Sequence, residues 1–242
     1  MPARLFVDPP LVAASLLALP ERAARHVQVL RLQPGAELTL FDGSGGEWSA
    51  QIVAMDRRGV QVRVQEYRAR ECEAPIAVTL ALAMPANERM DALVEKATEL
   101  GAAAIAPLLT ERSVLRLSGE RAERRQAHWQ AIAVAACEQC GRNRVPQVHA
   151  VQPLAAWLGQ LPAAAGESRL LLGWRNAQPW PQASAGLGRA LILLSGPEGG
   201  LTEGEESQAR LRGFSLASLG PRILRADTAP LAALAAIALT AR

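Results

Sequence analysis

The sequence predicts an α/β fold in two parts, a β-rich N-terminal domain at residues 1–70 and an α/β domain at residues 74–242. In the first part, short alternating apolar segments are separated by Gly and Pro turns, which is typical of a small barrel. In the second part, short apolar runs alternate with longer helical patterns, which indicates a sheet covered by helices. The charged segment at residues 66–75 ends in proline and is a credible linker between the two.

The N-terminal part is predicted to contain three strands and one short helix. The strands alternate at Glu37–Phe41, Glu47–Ala54 and Val60–Val64, and the glycines after Asp42 predict a hairpin turn between the first two. Residues 21–30 indicate a short helix or turn. A structural or dimerising domain would show the same pattern, so the residues alone leave its role open.

The second part is predicted to alternate strands and helices. Its predicted strands are residues 76–83, 103–109, 170–174, 190–194 and 214–219. Its predicted helices are one capped by Asn87 and ended by Gly101, a long one at 118–139, and one at 230–241. The segment from 175 to 189 is predicted to be a loop.

The stretch from residue 190 to residue 228 carries the main functional signal. A buried strand ends in the tight turn Ser195–Gly200, and Thr202 with Glu205 forms a capping box that starts a helix. The next strand ends in a second turn at Gly220-Pro221. Ligands of open α/β sheets bind at the carboxyl ends of the strands, so both turns are candidates for ligand contact. The first turn lacks the pattern of a phosphate-binding loop, and an ordinary strand-to-helix turn is the alternative.

Composition bounds the possible functions. The net charge is +3, and Lys96 is the single lysine among 26 basic residues. Arginine suits phosphate recognition, although the abundance of alanine indicates that coding bias contributes. The charge therefore permits an RNA partner without requiring one. No run of eighteen apolar residues and no signal peptide are present, so we expect a soluble, cytoplasmic protein.

No metal site is predicted. Cys137 and Cys140 have the spacing of metal ligands, but no second pair or nearby histidine completes a four-ligand site. Both cysteines also fall in a helical pattern. His26 is expected to pack or to lie at the surface rather than to act as a catalyst.

Residues 230–241 predict a helix that is apolar on every side. Such a helix must be covered all round. A subunit contact and a wholly internal position both satisfy this requirement.

Five ordered strings resemble one known family. LSGPEGGLTEGE followed by LGPRILRADTA resembles the cofactor-binding signature of the SPOUT methyltransferases, and in detail the family that methylates N3 of a uridine in 16S ribosomal RNA. The strings EKATELG, TERSV and EQCGRNRVP, and the N-terminal RHVQVLRLQPGAELTLFDGSGGEW, are similar to that family in the same order. The resemblance covers nearly the whole chain.

The resemblance implies a fold, a reaction and partners. The fold would be a SPOUT-type α/β domain with a parallel sheet and a trefoil knot, after a PUA-like β-barrel that binds RNA. The reaction would be methylation by S-adenosylmethionine of the uridine at position 1498 in 16S ribosomal RNA of the small subunit. The resemblance also favours a homodimer that uses the apolar C-terminal helix.

The resemblance implies the site residues as well. The implied cofactor-binding residues are Leu172, Gly173, Ser195, Gly196, Pro197, Glu198, Gly199, Gly200, Leu219, Gly220, Ile223, Leu224, Arg225 and Thr228. The implied RNA-binding residues are Arg25, Arg31, Arg142 and Arg144, with Arg22 as a further candidate. For Arg142 and Arg144, the alternative is that they cap helix carbonyls and pair with Glu138.

Glu198 and Arg225 are the candidate catalytic residues. Glu198 would take the uracil N3 proton, and Arg225 would stabilise charge on a uracil oxygen. The alternatives are that Glu198 accepts hydrogen bonds from loop amides and that Arg225 holds a phosphate of the target nucleotide. Asp227 stands where the family often has glutamate, so Asp227 or Thr228 is also a candidate cap for the final helix.

Two other functions stay open at this stage. One is SPOUT methylation of another RNA site, such as a ribose 2′-hydroxyl. The other is a non-enzymatic RNA-binding or ribosome assembly factor in which the glycine loops are scaffolding.

Overall fold

The computed structural model describes residues 2–8, 11–57, 59–85, 89–162, 166–173 and 177–240. The strands are β1 (Ala3–Phe6), β2 (Leu16–Ala18), β3 (Glu37–Phe41), β4 (Glu47–Asp56), β5 (Gly59–Arg68), β6 (Ala77–Ala83), β7 (Ala102–Leu109), β8 (Gln147–Val148), β9 (Gln152–Pro153), β10 (Ser168–Leu172), β11 (Gln178–Pro179), β12 (Ala190–Ser195) and β13 (Ser215–Ser218). The helices are α1 (Glu21–Val29), α2 (Arg89–Glu99), α3 (Gly119–Cys140), α4 (Leu154–Gln160), α5 (Trp180–Ala183), α6 (Glu203–Leu211) and α7 (Thr228–Thr240).

The chain forms two compact units. The first unit comprises Met1–Glu73 together with Cys137–Val145, and the second comprises Ala74–Ala136 together with Pro146–Arg242. The chain therefore returns to the first unit for nine residues, from the end of α3 through most of the EQCGRNRVP string. Sequence patterns show no sign of this return, because it depends on contacts between distant residues.

The first unit is built on a five-stranded sheet with strand order β1-β3-β4-β5-β2. β1 pairs with β3 in parallel, and the other neighbours are antiparallel. Alternate valines at positions 60, 62 and 64 of β5 face the core, where Val27 and two alanines of α1 cover them. The three predicted strands and the predicted helix are confirmed. β1 and β2 were missed because each is too short to show a pattern of its own.

A buried polar network fixes the returning segment within the first unit. The Arg4 guanidinium donates to the Glu47 carboxylate at 2.6 Å and also to the Asn143 side chain. Asn143 is fully buried and donates to the Arg70 carbonyl at 2.7 Å. Burial acts to raise the pKa of Glu47, but the hydrogen bond and charge of Arg4, with Arg70, outweigh it and hold that pKa below its ordinary value. The ionised carboxylate therefore stabilises this unit.

The second unit contains an eight-stranded sheet. Its main order is β11-β13-β10-β12-β6-β7-β8, β9 also pairs with β7, and every pairing is parallel. The central strand β12 is buried along almost its whole length, which explains its unbroken apolar sequence. Leu171, Leu194 and Leu216 from three neighbouring strands share one core with Trp157 of α4.

Most of the predicted elements of the second unit are confirmed, with boundaries shifted by a few residues. The predicted loop before Ala190 is wrong in part, because it contains α5 and the two-residue strand β11, which pairs with β13. β8, β9 and α4 were missed because they are short. The predicted cap Asn87 and the end of the strand predicted at 170–174 lie outside the described residues.

Helix α7 confirms the predicted apolar C-terminal helix. It contacts α2 and β12, and Ala233, Leu234 and Ile237 are buried. Leu239 near its end is largely exposed. Within the described part of the chain, no helix has both the length and the apolar character needed to cross a membrane. The trefoil knot stays a prediction.

Replacing Glu47 by glutamine should destabilise the first unit in a pH-dependent way. The folded pKa of Glu47 is lowered, so its contribution is present above the unfolded value of 4.5 and is lost as the pH falls through the folded value. At pH 7 we expect a loss of roughly 1–3 kcal/mol, the range for a hydrogen bond to a charged group. Urea unfolding of both proteins from pH 7 down to pH 3 tests this. A difference that grows as the pH falls would contradict the proposed sign.

Candidate functional site

Three parallel strands of the second unit end side by side. In register, Leu172 at the end of β10 lies opposite Ser195 of β12 on one side and Ala217 of β13 on the other. The segments that follow are the one beginning at Gly173, the Ser195–Gly200 turn and the turn at Leu219 and Gly220. The structure therefore places Leu172 and Gly173, the Ser195–Gly200 turn and the turn at Leu219 and Gly220 at adjacent strand ends. The strand that ends at Leu172, β10, lies between β12 and β13.

The Ser195–Gly200 turn is folded tightly on itself. The Gly200 amide donates to the Pro197 carbonyl at 2.8 Å, and Pro197 is buried. A Cβ on Gly196 would approach the Leu201 amide nitrogen at 3.2 Å. At Gly200, φ is +68°, and a Cβ there would meet no heavy atom within 4 Å. The turn thus presents bare backbone to open space, which suits close approach of a ligand.

Buried Glu205 joins this turn to the loop after β7. One of its carboxylate oxygens accepts from the Thr202 amide at 2.9 Å, and the Thr202 side chain accepts from the Glu205 amide. The predicted capping box is therefore confirmed. The other carboxylate oxygen accepts from the Glu111 amide at 2.9 Å. One side chain therefore both starts α6 and holds the TERSV segment.

Arg112 holds the turn from the opposite direction. Its Nη1 donates to the Gly199 carbonyl at 2.9 Å and to the Leu201 carbonyl at 3.3 Å. Its Cβ would lie 3.3 Å from a Cβ on Gly199. We name Glu111, Arg112 and Glu205 the loop clasp. Sequence reasoning recognised TERSV as a motif, but it gave no role to Arg112.

The two candidate catalytic residues lie on different turns. The side chain of Glu198 is 33% exposed, and its Oε1 is 3.6 Å from Nη1 of Arg89. Arg225 is exposed, and its carbonyl accepts from the Thr228 and Ala229 amides at the start of α7. Arg225 therefore starts the last helix through its backbone, which leaves its guanidinium for other contacts.

Asp227 lies beside the start of α7. Its Oδ1 is buried and has no hydrogen-bond partner among the described residues. That oxygen therefore does not cap the helix in this structure. Two implied cofactor-binding residues precede Asp227 and differ in exposure. Ile223 is largely exposed, whereas Leu224 is half-buried.

Arg31 has an unusual backbone conformation. It follows α1 with φ +55°, a region that residues other than glycine rarely adopt. The Arg31 amide donates to the Gln28 carbonyl at 3.0 Å, and the Leu32 amide donates to the Val27 carbonyl at 3.2 Å. This is the Schellman ending of a helix, in which glycine is the usual residue. The arginine side chain is exposed at a position where its backbone conformation is disfavoured.

The EQCGRNRVP loop separates its two arginines. Arg142 is only 3% exposed, and its guanidinium donates to both carboxylate oxygens of Glu73. The side chain of Arg144 is 55% exposed, and it pairs with Glu71 at 3.1 Å. The Glu138 carboxylate accepts from the Phe6 amide at 3.0 Å and lies 3.8 Å from the Arg22 guanidinium. Arg142 thus lacks the exposure that phosphate contact requires, whereas Arg144 has it.

The other residues considered from sequence are at the surface or inert. Arg25 is exposed and pairs with Glu21 one helical turn away. The His26 ring lies 3.8 Å from Glu138. Burial raises the pKa of the Cys137 thiol to about 12, so the thiol stays protonated at neutral pH. In the part of the chain that the structure describes, no cluster of three or more His, Cys, Asp and Glu side chains has the geometry of a metal site.

A groove of about 400 Å³ lies elsewhere, on the exposed face of α3. It is lined by Arg121, Arg124, Arg125 and His128. His128 and Trp129 both bond the Asp91 carboxylate at 2.9 Å, which fixes this part of the helix to α2. None of the glycine turns lines this groove.

Comparisons with known proteins place the chain in a family. A family model for an RNA methyltransferase domain matches residues 72–238, and one for an RNA methyltransferase PUA domain matches residues 19–65. This chain belongs to the RNA methyltransferase family. The predicted family is thereby confirmed, and so is the α/β fold class with a PUA-like N-terminal domain.

Individual members of the family are similar over most of their length. The chain is 38% identical to ribosomal RNA small subunit methyltransferase E of Synechocystis, over 97% of this chain and 76% of that protein. It is 34% identical to the Bacillus subtilis protein of the same name, with 90% and 87% covered. The crystal structure of the Neisseria gonorrhoeae protein of that name, bound to S-adenosylmethionine, has a TM-score of 0.91 and 36% identity, with 98% and 97% covered.

Removing Arg112 should loosen the glycine turn of this methyltransferase. Arg112→Ala deletes two hydrogen bonds to the turn, and each is worth about 1 kcal/mol. We therefore expect roughly 30-fold faster hydrogen–deuterium exchange of the amides between residues 196 and 201, the factor that corresponds to about 2 kcal/mol. Arg210→Ala on the exposed face of α6 is the control for loss of one charge. Equal exchange in Arg112→Ala and the unchanged protein would show that Arg112 does not hold the turn in place.

Proposed function

We propose that this chain transfers a methyl group from S-adenosylmethionine to N3 of a uridine in 16S ribosomal RNA. Membership of the RNA methyltransferase family supports the reaction class. Relatives named small-subunit ribosomal RNA methyltransferases support the substrate, and the S-adenosylmethionine bound in the Neisseria structure supports the cofactor. The observation that carries the proposal is the alignment of three loop-bearing strand ends in a chain of this family.

The three strand-end turns fit the cofactor. Gly200 and Gly220 both leave open space where a side chain would stand, so backbone groups are accessible to a flat, polar ligand. We propose that the cofactor contacts Leu172, Gly173, Ser195, Gly196, Pro197, Glu198, Gly199, Gly200, Leu219, Gly220, Ile223, Leu224, Arg225 and Thr228. When bound, S-adenosylmethionine supplies an electrophilic methyl carbon on a positively charged sulfur, which departs with the electron pair of the broken bond.

The chain must then position uracil and remove one proton. As the N3 electron pair forms the bond to carbon, the proton on N3 passes to a base, for which we propose the Glu198 carboxylate. Arg89, 3.6 Å away, orients that carboxylate. We propose that Arg225 donates to a uracil oxygen and stabilises the negative charge that develops there. We propose that Glu198 in the glycine turn and Arg225 after the second turn act on a single base held against the methyl group.

RNA binding is proposed for the first unit and methyl transfer for the second, with the division near residues 70–74. Arg25, Arg31 and Arg144 are exposed and can pair with phosphates. Arg142 was also predicted to bind RNA. Because its guanidinium is buried against Glu73, we propose instead that it holds the loop that presents Arg144.

A homodimer is also proposed, acting in the cytoplasm on the small subunit or its RNA. Val114, Ile223 and Leu239 are largely exposed apolar residues of the second unit, and a second copy would cover them. Sedimentation equilibrium decides this point. A mass of 25.8 kDa at micromolar concentration, the mass of one chain, would reject the dimer.

Nucleoside mass spectrometry of 16S RNA tests the proposed reaction. In cells that lack the gene, N3-methyluridine should be absent, and the intact gene should restore it. With purified protein at saturating S-adenosylmethionine, Glu198→Gln should reduce the methylation rate by about 10²- to 10⁴-fold, the usual contribution of a general base. Loss of a ribose-methylated nucleoside instead would favour another SPOUT reaction. An unchanged nucleoside profile, with no heat on titration with the cofactor, would favour an assembly factor.

Arg31→Gly separates RNA binding from stability. Glycine adopts φ +55° without strain, so the free energy of unfolding should be unchanged or higher by up to about 1 kcal/mol. RNA affinity should fall, and the slope of log affinity against log salt concentration should lose roughly 0.7–0.9, the value of one phosphate contact. Arg210→Ala is the control for charge alone. A destabilised Arg31→Gly protein with normal RNA affinity would assign Arg31 a purely structural role.

A further inference from the structure

An exposed aromatic pair lies on the sheet of the first unit. Tyr67 of β5 and Trp48 of β4 are direct cross-strand partners, with ring centroids 5.2 Å apart and planes inclined by 58°. Trp48 packs against the buried core, whereas Tyr67 is 52% exposed. The outer ring is thus supported from beneath by a ring anchored in the core, and half of its surface is open.

The glycines of the β3–β4 turn make room for this arrangement. A Cβ on Gly46 would overlap the hydroxyl and ring of Tyr67. A Cβ on Gly45 would lie 2.6 Å from Nη2 of Arg144 and would overlap the carboxylate of Glu71. The ring of Tyr67 therefore packs on Gly46, and the guanidinium of Arg144 packs on the preceding glycine, Gly45.

The guanidinium of Arg144 lies at the same turn as the Tyr67 ring. Arg144 is held by Glu71, which also accepts from the Gly46 amide at 3.2 Å. An exposed aromatic ring at the same turn as an exposed guanidinium is an arrangement that suits single-stranded nucleic acid, because a base can stack on the ring while the cation contacts a phosphate.

We propose that Tyr67 is a stacking platform for an unpaired base of the RNA substrate, with Arg144 contacting an adjacent phosphate. The inference rests on the proposed function, which makes RNA the substrate, and it adds a base contact to a surface for which only phosphate contacts were predicted. Stacking tolerates any base, so this contact contributes affinity and orientation rather than sequence choice. The rigid Trp48 support lowers the ordering cost of the stack, because the ring is already fixed before RNA binds.

RNA titrations at several salt concentrations test the platform. The probe is a fluorescein-labelled single-stranded fragment of 16S RNA that contains the target uridine, and binding is followed by anisotropy. Tyr67→Ala should weaken binding by about 5- to 150-fold and leave the salt slope unchanged, because stacking releases no counterions. Arg144→Ala should reduce the salt slope by roughly 0.7–0.9. Tyr67→Phe, which keeps the ring, should bind within two-fold of the unchanged protein.

Leu16→Ala is the matched control. Leu16 lies on β2 of the same sheet and is 61% exposed, so it tests the loss of an exposed apolar side chain away from the turn. Its RNA affinity should be unchanged. Tyr67→Ala with unchanged affinity would overturn the proposal, as would equal losses in Tyr67→Phe and Tyr67→Ala.

Ultraviolet cross-linking of the unsubstituted protein gives a measurement that does not depend on the folding of any variant. A nucleotide joined to the peptide that contains Tyr67 supports the platform, and cross-links confined to other peptides contradict it.

Methylation separates this inference from the proposed function. A protein that binds RNA through Tyr67 but forms no N3-methyluridine would overturn only the proposed reaction. A protein that methylates normally with Tyr67→Ala and binds with full affinity would overturn only the platform.

Discussion

The parallel pairing of β10 between β12 and β13 is the constraint on which the site depends. These pairings set Leu172 level with both Ser195 and Ala217, so three turns from distant parts of the chain start at one height along the sheet. Parallel strands require long connections between them, and here those connections also supply α5 and α6. A shift of one residue in either pairing would turn every side chain of that strand to the other face.

The loop clasp gives the Ser195–Gly200 turn its shape without a ligand. Glu205 is already needed as the N3 residue of the capping box, yet its second oxygen also binds Glu111, so helix start and loop position share one carboxylate. Arg112 completes the clasp through backbone carbonyls. Its contacts therefore do not depend on side chains of the turn, which are left for chemistry. A turn fixed in advance binds its ligand with a smaller entropy cost than a turn that must first be ordered.

In the first unit, some polar side chains are buried and hold the fold together, whereas a similar one nearby is exposed to solvent. Arg4, Arg142 and Asn143 are withdrawn into a network with Glu47 and Glu73. Arg144, one residue beyond Asn143, is left exposed above a glycine. A buried guanidinium is stable only when it is paired, so the carboxylates of this unit hold Arg4 and Arg142 inside and Arg144 remains at the surface.

The sequence by itself determined the fold class, the family, the main strands and helices, and the glycine turns with their capping box. These features rest on local periodicity, backbone preferences and motifs, which do not depend on distant residues. Only the tertiary structure decided that Arg142 is buried while Arg144 is exposed, that Arg112 holds Gly199, and that Tyr67 lies over Gly46. Each of these outcomes depends on which residues, far apart in the chain, become neighbours, and pairing and burial in the folded chain settle that.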